Sequence, residues 1–304
     1  MEESKFICID IGGTAIKHGV MSESLEFLES GSAATPKSGG PGILETVIRQ
    51  ARIYREAYPD AKAVCMSSTG IIDSDQGLML ESNESLVPHY TGMRITEQVR
   101  NAVGLPCFIE NDVNCAAMAE CVAGAARGYE SALMLTIGTG IGGAFVEKGK
   151  LLKGYTYSAC EVGYLHMRDE TGQESTFEEL AATSVLVART ARRLDRTEEI
   201  SGKWIFDQAQ AGNSVCREEI DRMCAVLAEG IANLCYVVNP QIVVIGGGIS
   251  VREDWLRPRL EAGLDRFLIP AVRQKTELGF ARFRNHAGMI GACCAAGVLK
   301  DSAL

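Results

Sequence analysis

Apolar positions in this chain fall into short runs that stop at glycine-rich turns. Phe6-Ile7-Cys8-Ile9 runs into Asp10-Ile11-Gly12-Gly13-Thr14-Ala15, and apolar alternation resumes at Ile16 and Val20. That pattern predicts strand, turn, strand, and not the strand-to-helix entry of a Rossmann or Walker site. Leu133 to Val146 repeats it around Gly138-Thr139-Gly140, with Thr136-Ile137-Gly138 standing where Asp10-Ile11-Gly12 stands in the first copy. Two such turns predict two related halves. A third apolar run, Gln241 to Ile245, ends in Gly246-Gly247-Gly248.

Between these runs the pattern predicts an α/β order. Leu25 to Ser30 reads as a third strand, 31–42 as a Gly/Ser/Pro-rich loop, and Ile43 to Tyr58 as an amphipathic helix stopped by Pro59. A strand over Ala61 to Met66 leads into Ser67-Ser68-Thr69-Gly70. A helix near Ile95 to Val103 precedes a strand from Pro106 to Glu110, which ends at Asn111-Asp112, and an alanine-rich helix follows from Val113 to Ala126. The second half begins near Ser131 and carries helices over Phe177 to Leu194, Ser214 to Val238 and Met289 to Leu299.

At 304 residues and 46% hydrophobic, the chain is long enough for two cores. The expected division is 1–118, joined by the C-terminal helix 289–304, and 119–288. No apolar run reaches the roughly 20 residues of a membrane span, and the N-terminus lacks the basic start and apolar core of a signal peptide. A net charge of -9 gives no electrostatic footprint for nucleic acid. The 11 cysteines are scattered, odd in number and without a Cys-x-x-Cys pair, which points to free thiols in the cytoplasm and away from a disulfide framework or a zinc site.

Polyphosphate must then be held by local donors. Glycine lets backbone amides approach an anion, Thr14 adds a donor, Lys17 a charge, and Asp10 can hold magnesium through water. Asn111-Asp112 lies at the C-terminal end of a strand, where open α/β sheets place ligands. The pair either caps the following helix or presents a general base; beside the phosphate turns, a base near Asp112 is favoured. Glu161, after the small and aromatic stretch Tyr155 to Cys160, is a second candidate carboxylate.

Asp10 to Lys17, Glu110 to Cys115, Thr136 to Gly143, Glu161-Val162-Gly163 and Ile245 to Ile249 together resemble the ROK family of sugar kinases and repressors, in order and over nearly the whole chain. The resemblance implies an actin-like, ribonuclease-H-like α/β fold of two domains around an interdomain cleft, passing the ATP γ-phosphoryl group to a hexose hydroxyl. It implies Asp112 as catalytic base and Asn111, Glu161 and Glu178 as sugar ligands. It assigns Asp10, Gly12, Gly13, Thr14 and Lys17, with Thr139, Gly140 and Gly142, to the phosphates, and Gly246, Gly247 and Gly248 to the adenosine side.

The chain departs from the family pattern at two places, both on the sugar side. Tyr164 replaces a histidine after the Glu-x-Gly step, and Arg168 to Thr176 holds none of the cysteines that otherwise bind zinc. Joint loss is similar to the zinc-free β-glucoside kinases, with His166 a surface or packing residue. Ser85 stands where an asparagine is usual. ATP and Mg2+ without zinc, a cytoplasmic site, room for a homodimer, and 6-phosphorylation of a glucose-type sugar such as cellobiose or glucose are the expectations. An N-acetylmannosamine or allose kinase is the alternative. A repressor would need a DNA-binding segment before Asp10, and a non-catalytic sugar sensor would be expected to have lost Asp112 or the Asp10 turn.

Overall fold

A computed structural model describes residues 3–299; the end of the expected C-terminal helix, 300–304, lies outside them. The chain divides into two compact units. The first runs through Arg127 and takes in Lys153–Ala159 and the chain from Asn285 on; the second is Gly128–Leu152 with Cys160–Arg284.

In the first unit, β1 (Lys5–Ile11), β2 (Ala15–Ser22) and β3 (Phe27–Ala34) form an antiparallel meander. Then come α1 (Gly40–Ala57), β4 (Ala63–Ser68), the small hairpin β5 (Ile71–Asp73) and β6 (Leu78–Glu81), α2 (Ile95–Val103), β7 (Cys107–Asn111) and α3 (Asp112–Ala123). Sheet order is β3-β2-β1-β4-β7, with β4 parallel to β1 and to β7.

The second unit repeats this plan with β8 (Ser131–Ile137), β9 (Ile141–Glu147) and β10 (Lys150–Leu151) as its meander. β11 (His166–Arg168) and β12 (Glu174–Thr176) make a separate hairpin before α4 (Phe177–Ala181), α5 (Thr183–Arg193), α6 (Gly202–Gln210) and α7 (Ser214–Val238). β13 (Ile242–Gly246), α8 (Glu253–Phe267), α9 (Pro270–Arg273) and β14 (Glu277–Phe280) complete the order β10-β9-β8-β13-β14, again antiparallel then parallel. The last helix, α10 (Ala287–Ala295), returns to the first unit. This is the actin-like two-domain α/β fold, and each unit has its own apolar core.

Three features differ from the sequence pattern. Gly31 to Ala34 looks like loop by composition but pairs with β2. Gly31 is required there because a Cβ would lie 2.7 Å from the His18 ring. The expected helix over Phe177 to Leu194 breaks at Ala182, which is extended (φ -65°, ψ 154°) and frees the Thr183 amide to donate to Gly138 O at 2.9 Å. α8 buries Leu256, Leu260 and Leu264 on one stripe, a helical spacing hidden in the sequence by Pro258. α3 and α10 are buried on nearly all sides, and a Cβ on Gly291 would overlap the Cys115 carbonyl, so the alanines of α3 and the small residues of α10 serve close helix packing.

Candidate active site

In the first unit, β2, β1, β4 and β7 set Lys17, Asp10, Ser67 and Glu110 in one register row. Lys17 Nζ lies 3.2 Å from Asp10 Oδ2 and donates to Asn285 O at 3.1 Å. Asp10 also rests against the first turn of α10, where a side chain on Gly288 would overlap its carboxylate. A helix N-terminus favours a negative group at that place.

The turn that follows Asp10 is held from behind. Thr35 donates its amide to Thr14 O (3.0 Å) and its hydroxyl to Gly12 O (2.6 Å). Among the described residues the Gly13 and Thr14 amides are left without a protein acceptor. A turn with its carbonyls tied inward and its amides unspent suits an anion. A Cβ on Gly13 would meet nothing within 4 Å, so packing does not explain that glycine.

The β7–α3 step separates capping from chemistry. Asn111 is the N-cap: its Oδ1 accepts the amides of Val113 (2.9 Å) and Asn114 (3.1 Å), and its Nδ2 donates to Gly70 O (3.0 Å). Asp112 is the first helical residue, half-buried, and its Oδ1 takes a further bond from Val113 N at 2.9 Å. Beneath the step, buried Glu110 accepts Asn111 N (2.9 Å) and Asn114 Nδ2 (3.0 Å). Ser85 lies in the exposed turn after β6, with its hydroxyl and amide both on Asn83 Oδ1.

In the second unit the β8–β9 turn repeats the device. Thr183 N donates to Gly138 O, and Ser184 Oγ donates to Thr139 O at 2.6 Å. The Thr139 and Gly140 amides have no protein acceptor among the described residues, and Gly142 pairs with Thr136 in the ladder. Sequence reading passes over Thr35, Thr183 and Ser184, because each braces a turn remote in sequence and no local pattern marks it.

Two neighbouring acids of α4 do different work. Glu179 closes a capping box with Thr176. Glu178 instead reaches Ile141 N, with Oε2 at 3.3 Å. Its carboxylate fills space left by two glycines: a Cβ on Gly140 would lie 2.5 Å from Oε2, and one on Gly163 would lie 2.8 Å away. Phe177 anchors the helix by setting the tip of its buried ring against Gly230 of α7. Glu178 thus joins the glycine turn to the Glu161-Val162-Gly163 step.

The three glycines after β13 are unequal. A Cβ on Gly246 would lie 2.5 Å from Met134 Cε, and Gly247, at φ 83°, would overlap the Ile137 backbone. Gly247 has a packing reason to be glycine, whereas the group facing Gly246 is the far end of a flexible side chain. A Cβ on Gly248 would meet nothing within 4 Å, so packing does not explain that glycine.

A ROK family model matches residues 6–297. The chain belongs to the ROK family. An uncharacterized protein of Clostridium perfringens is 39% identical over 94% of this chain and 96% of its own length. The β-glucoside kinase of Klebsiella pneumoniae is 31% identical over 95% and 94%. Among solved structures, a ROK family glucokinase from Streptomyces griseus, in complex with glucose and AMPPNP, is 27% identical and superposes with a TM-score of 0.80 over 95% of this chain and 98% of that one.

The region around Gly163 carries the residues expected on the sugar side. Glu161 precedes a single 3-10 turn, Val162–Tyr164, and Tyr164, its last residue, is 67% exposed. The next residues fold as the β11–β12 hairpin, closed by the Arg168–Glu174 ion pair at 2.8 Å. Asp169 Oδ1 accepts the Thr171 hydroxyl and the amides of Thr171 and Gln173. The Thr171 hydroxyl bond is the chief cause holding its carboxyl below the ordinary range. His166 is exposed and pairs with Thr176 in the hairpin. Among the described residues no three His, Cys, Asp or Glu side chains converge on a site for a metal ion.

Proposed function

We propose that this chain, an ATP-dependent carbohydrate kinase, phosphorylates the 6-hydroxyl of glucose-type sugars, with β-glucosides such as cellobiose and glucose itself ahead of N-acetylmannosamine or allose. The observation that carries the catalytic part is the division of labour at α3. Asn111 Oδ1 already caps the helix through the Val113 and Asn114 amides, so Asp112, which adds only a second bond to Val113 N, is not needed as the N-cap. A sugar hydroxyl is a weak nucleophile and the phosphoryl transition state is loose, so one aligned carboxylate to receive the proton, with charge-stabilised phosphates, suffices. Asp112 takes that part. The amides at Gly13, Thr14, Thr139 and Gly140 take phosphate oxygens, with Lys17 adding charge and Gly248 allowing a nucleotide close to backbone.

Magnesium fits the residues present. It prefers oxygen ligands, keeps several waters and is commonly held by one or two carboxylates plus substrate phosphates, which matches the single carboxylate of Asp10 beside the first turn. Bound there, it would neutralise phosphate charge. Asn111 and Glu161 are assigned to sugar hydroxyls, with Glu178 and Ser85 as further sugar-side candidates. All 11 cysteines are free thiols, which supports a reducing, cytoplasmic setting.

The sugar preference rests on Tyr164. It presents one phenolic hydroxyl on an exposed ring where the family pattern has a histidine, and an open anomeric side would let a β-linked group project while the 6-hydroxyl meets the base. The similarity to a Klebsiella protein named for β-glucosides supports the same reading. The test compares kcat/KM for cellobiose, glucose, N-acetylmannosamine and allose in the parent and in Tyr164→His, with Mg2+ and with Zn2+. Cellobiose and glucose should lead with magnesium, and the histidine should narrow the preference toward glucose. A tenfold preference of the parent for either of the other two sugars would overturn the substrate assignment and leave the kinase intact.

A further inference from the structure

We infer that Lys153 is a positioning residue for phosphoryl transfer, acting through Glu110 on the step that carries Asp112; this rests on the kinase reading above. Glu110 is 6% exposed, yet its Oε1 must remain an acceptor for Asn111 N and Asn114 Nδ2, the two bonds that fix where β7 becomes α3. A carboxylate so buried needs a countercharge. Its neighbours do not supply one. Asp10 stands two strands away in the same register row, Ser67 between them is uncharged, and Asp112 follows two residues on.

The countercharge comes from outside the motif. Lys153, just after β10, brings Nζ to 3.3 Å from Glu110 Oε2. Among the described residues it is the one lysine or arginine in an ion pair with Glu110. Lys153 is itself fixed at two further points: Nζ donates to Ser74 Oγ at 2.6 Å and lies 3.5 Å from Asp75 Oδ1. Four residues on, Tyr157 OH donates to Asp75 Oδ2 at 2.8 Å, so the segment 153–159 is held on the β5–β6 turn at Lys153 and at Tyr157. The pairing mirrors Lys17 on Asp10 at the other side of the same row.

Without Lys153 the buried carboxylate is left uncompensated and turns toward water, which costs the two Oε1 bonds that set the first turn of α3. Asp112 would then be displaced while the phosphate-binding turns are untouched. Phosphoryl transfer depends on alignment, so the loss falls on kcat more than on KM for ATP.

The experiment measures steady-state phosphorylation of cellobiose and glucose with Mg-ATP by the parent, Lys153→Met, Lys153→Arg, Glu110→Gln and the Glu110→Gln/Lys153→Met double variant. Lys153→Met should lower kcat about 10- to 100-fold with KM for ATP within about threefold, and Lys153→Arg should recover most of it. In the Glu110→Gln background, where no buried charge remains to be balanced, losing Lys153 should cost less than about threefold. A kcat within twofold of the parent in Lys153→Met, or an equal loss in both backgrounds, would overturn the proposal. Should Lys153→Met not fold, the comparison of the double variant with Glu110→Gln decides, since a double variant that folds but is inactive also overturns it. A parent inactive on cellobiose and glucose overturns the substrate reading, whereas an active parent whose kcat does not move in Lys153→Met overturns this proposal alone, which separates the two failures.

Discussion

Glu178 Oε2 accepts the amide of Ile141 at 3.3 Å, so one carboxylate of α4 supports the glycine turn at the start of β9. Glu178→Ala should leave that amide without this acceptor, costing about 1–3 kcal/mol and several degrees in Tm. It should also raise KM for ATP about tenfold through a loosened turn. Glu178→Gln keeps an acceptor oxygen and should restore Tm and KM for ATP. If Gln also restores sugar affinity, the charge has no part in sugar binding and Glu178 is a brace alone.

Asn111 and Asp112 should separate in the same way. Asn111→Ala removes the N-cap of α3 and should cost about 1 kcal/mol of stability, readable by urea denaturation. Asp112→Asn keeps shape but cannot receive a proton, so kcat should fall about 10²-fold or more, with sugar affinity by calorimetry little changed. Turnover of Asp112→Asn within a few-fold of the parent would end its assignment as the base.

The glycines offer a cleaner contrast. Gly247→Ala forces a left-handed L-residue against the Ile137 backbone and should destabilise the protein by more than about 1–3 kcal/mol. Gly13→Ala and Gly248→Ala place a methyl in open space and should leave Tm nearly unchanged while raising KM for ATP. Equal thermal loss in all three would mean that none of them is a ligand glycine.

Acid should loosen the loop that carries Ser85 before the rest of the first unit. Bonds from Thr91, by hydroxyl and by amide, and from the His89 amide hold the Glu84 carboxyl down to about 2. Its folded value lies below its ordinary one, so its contribution is complete above about 4.5 and is lost as pH falls toward about 2. Hydrogen-exchange protection of the His89 and Thr91 amides should fall across that window. In Glu84→Gln it should be low and independent of pH there.

Much of this protein is local and therefore readable in one dimension. The strand-turn-strand repeats, α2 and α7 follow from apolar spacing and from glycines that allow a turn, and both helices end where the pattern ends them. The candidate base is readable too, because a carboxylate one residue past a strand end marks a ligand-bearing edge of an open sheet. Other features depend on partners far away in the chain. Thr183 breaks a continuous helical pattern because the Gly138 carbonyl outbids the next helical turn, and Gly31 to Ala34 becomes strand because β2 offers a ladder. That Gly247 also lies against the Ile137 backbone is visible only in the folded chain. Lys153 carries no signature at all. A lysine's chemistry is the same on any surface, and only folding brings this one to within 3.3 Å of a buried carboxylate far back in the chain.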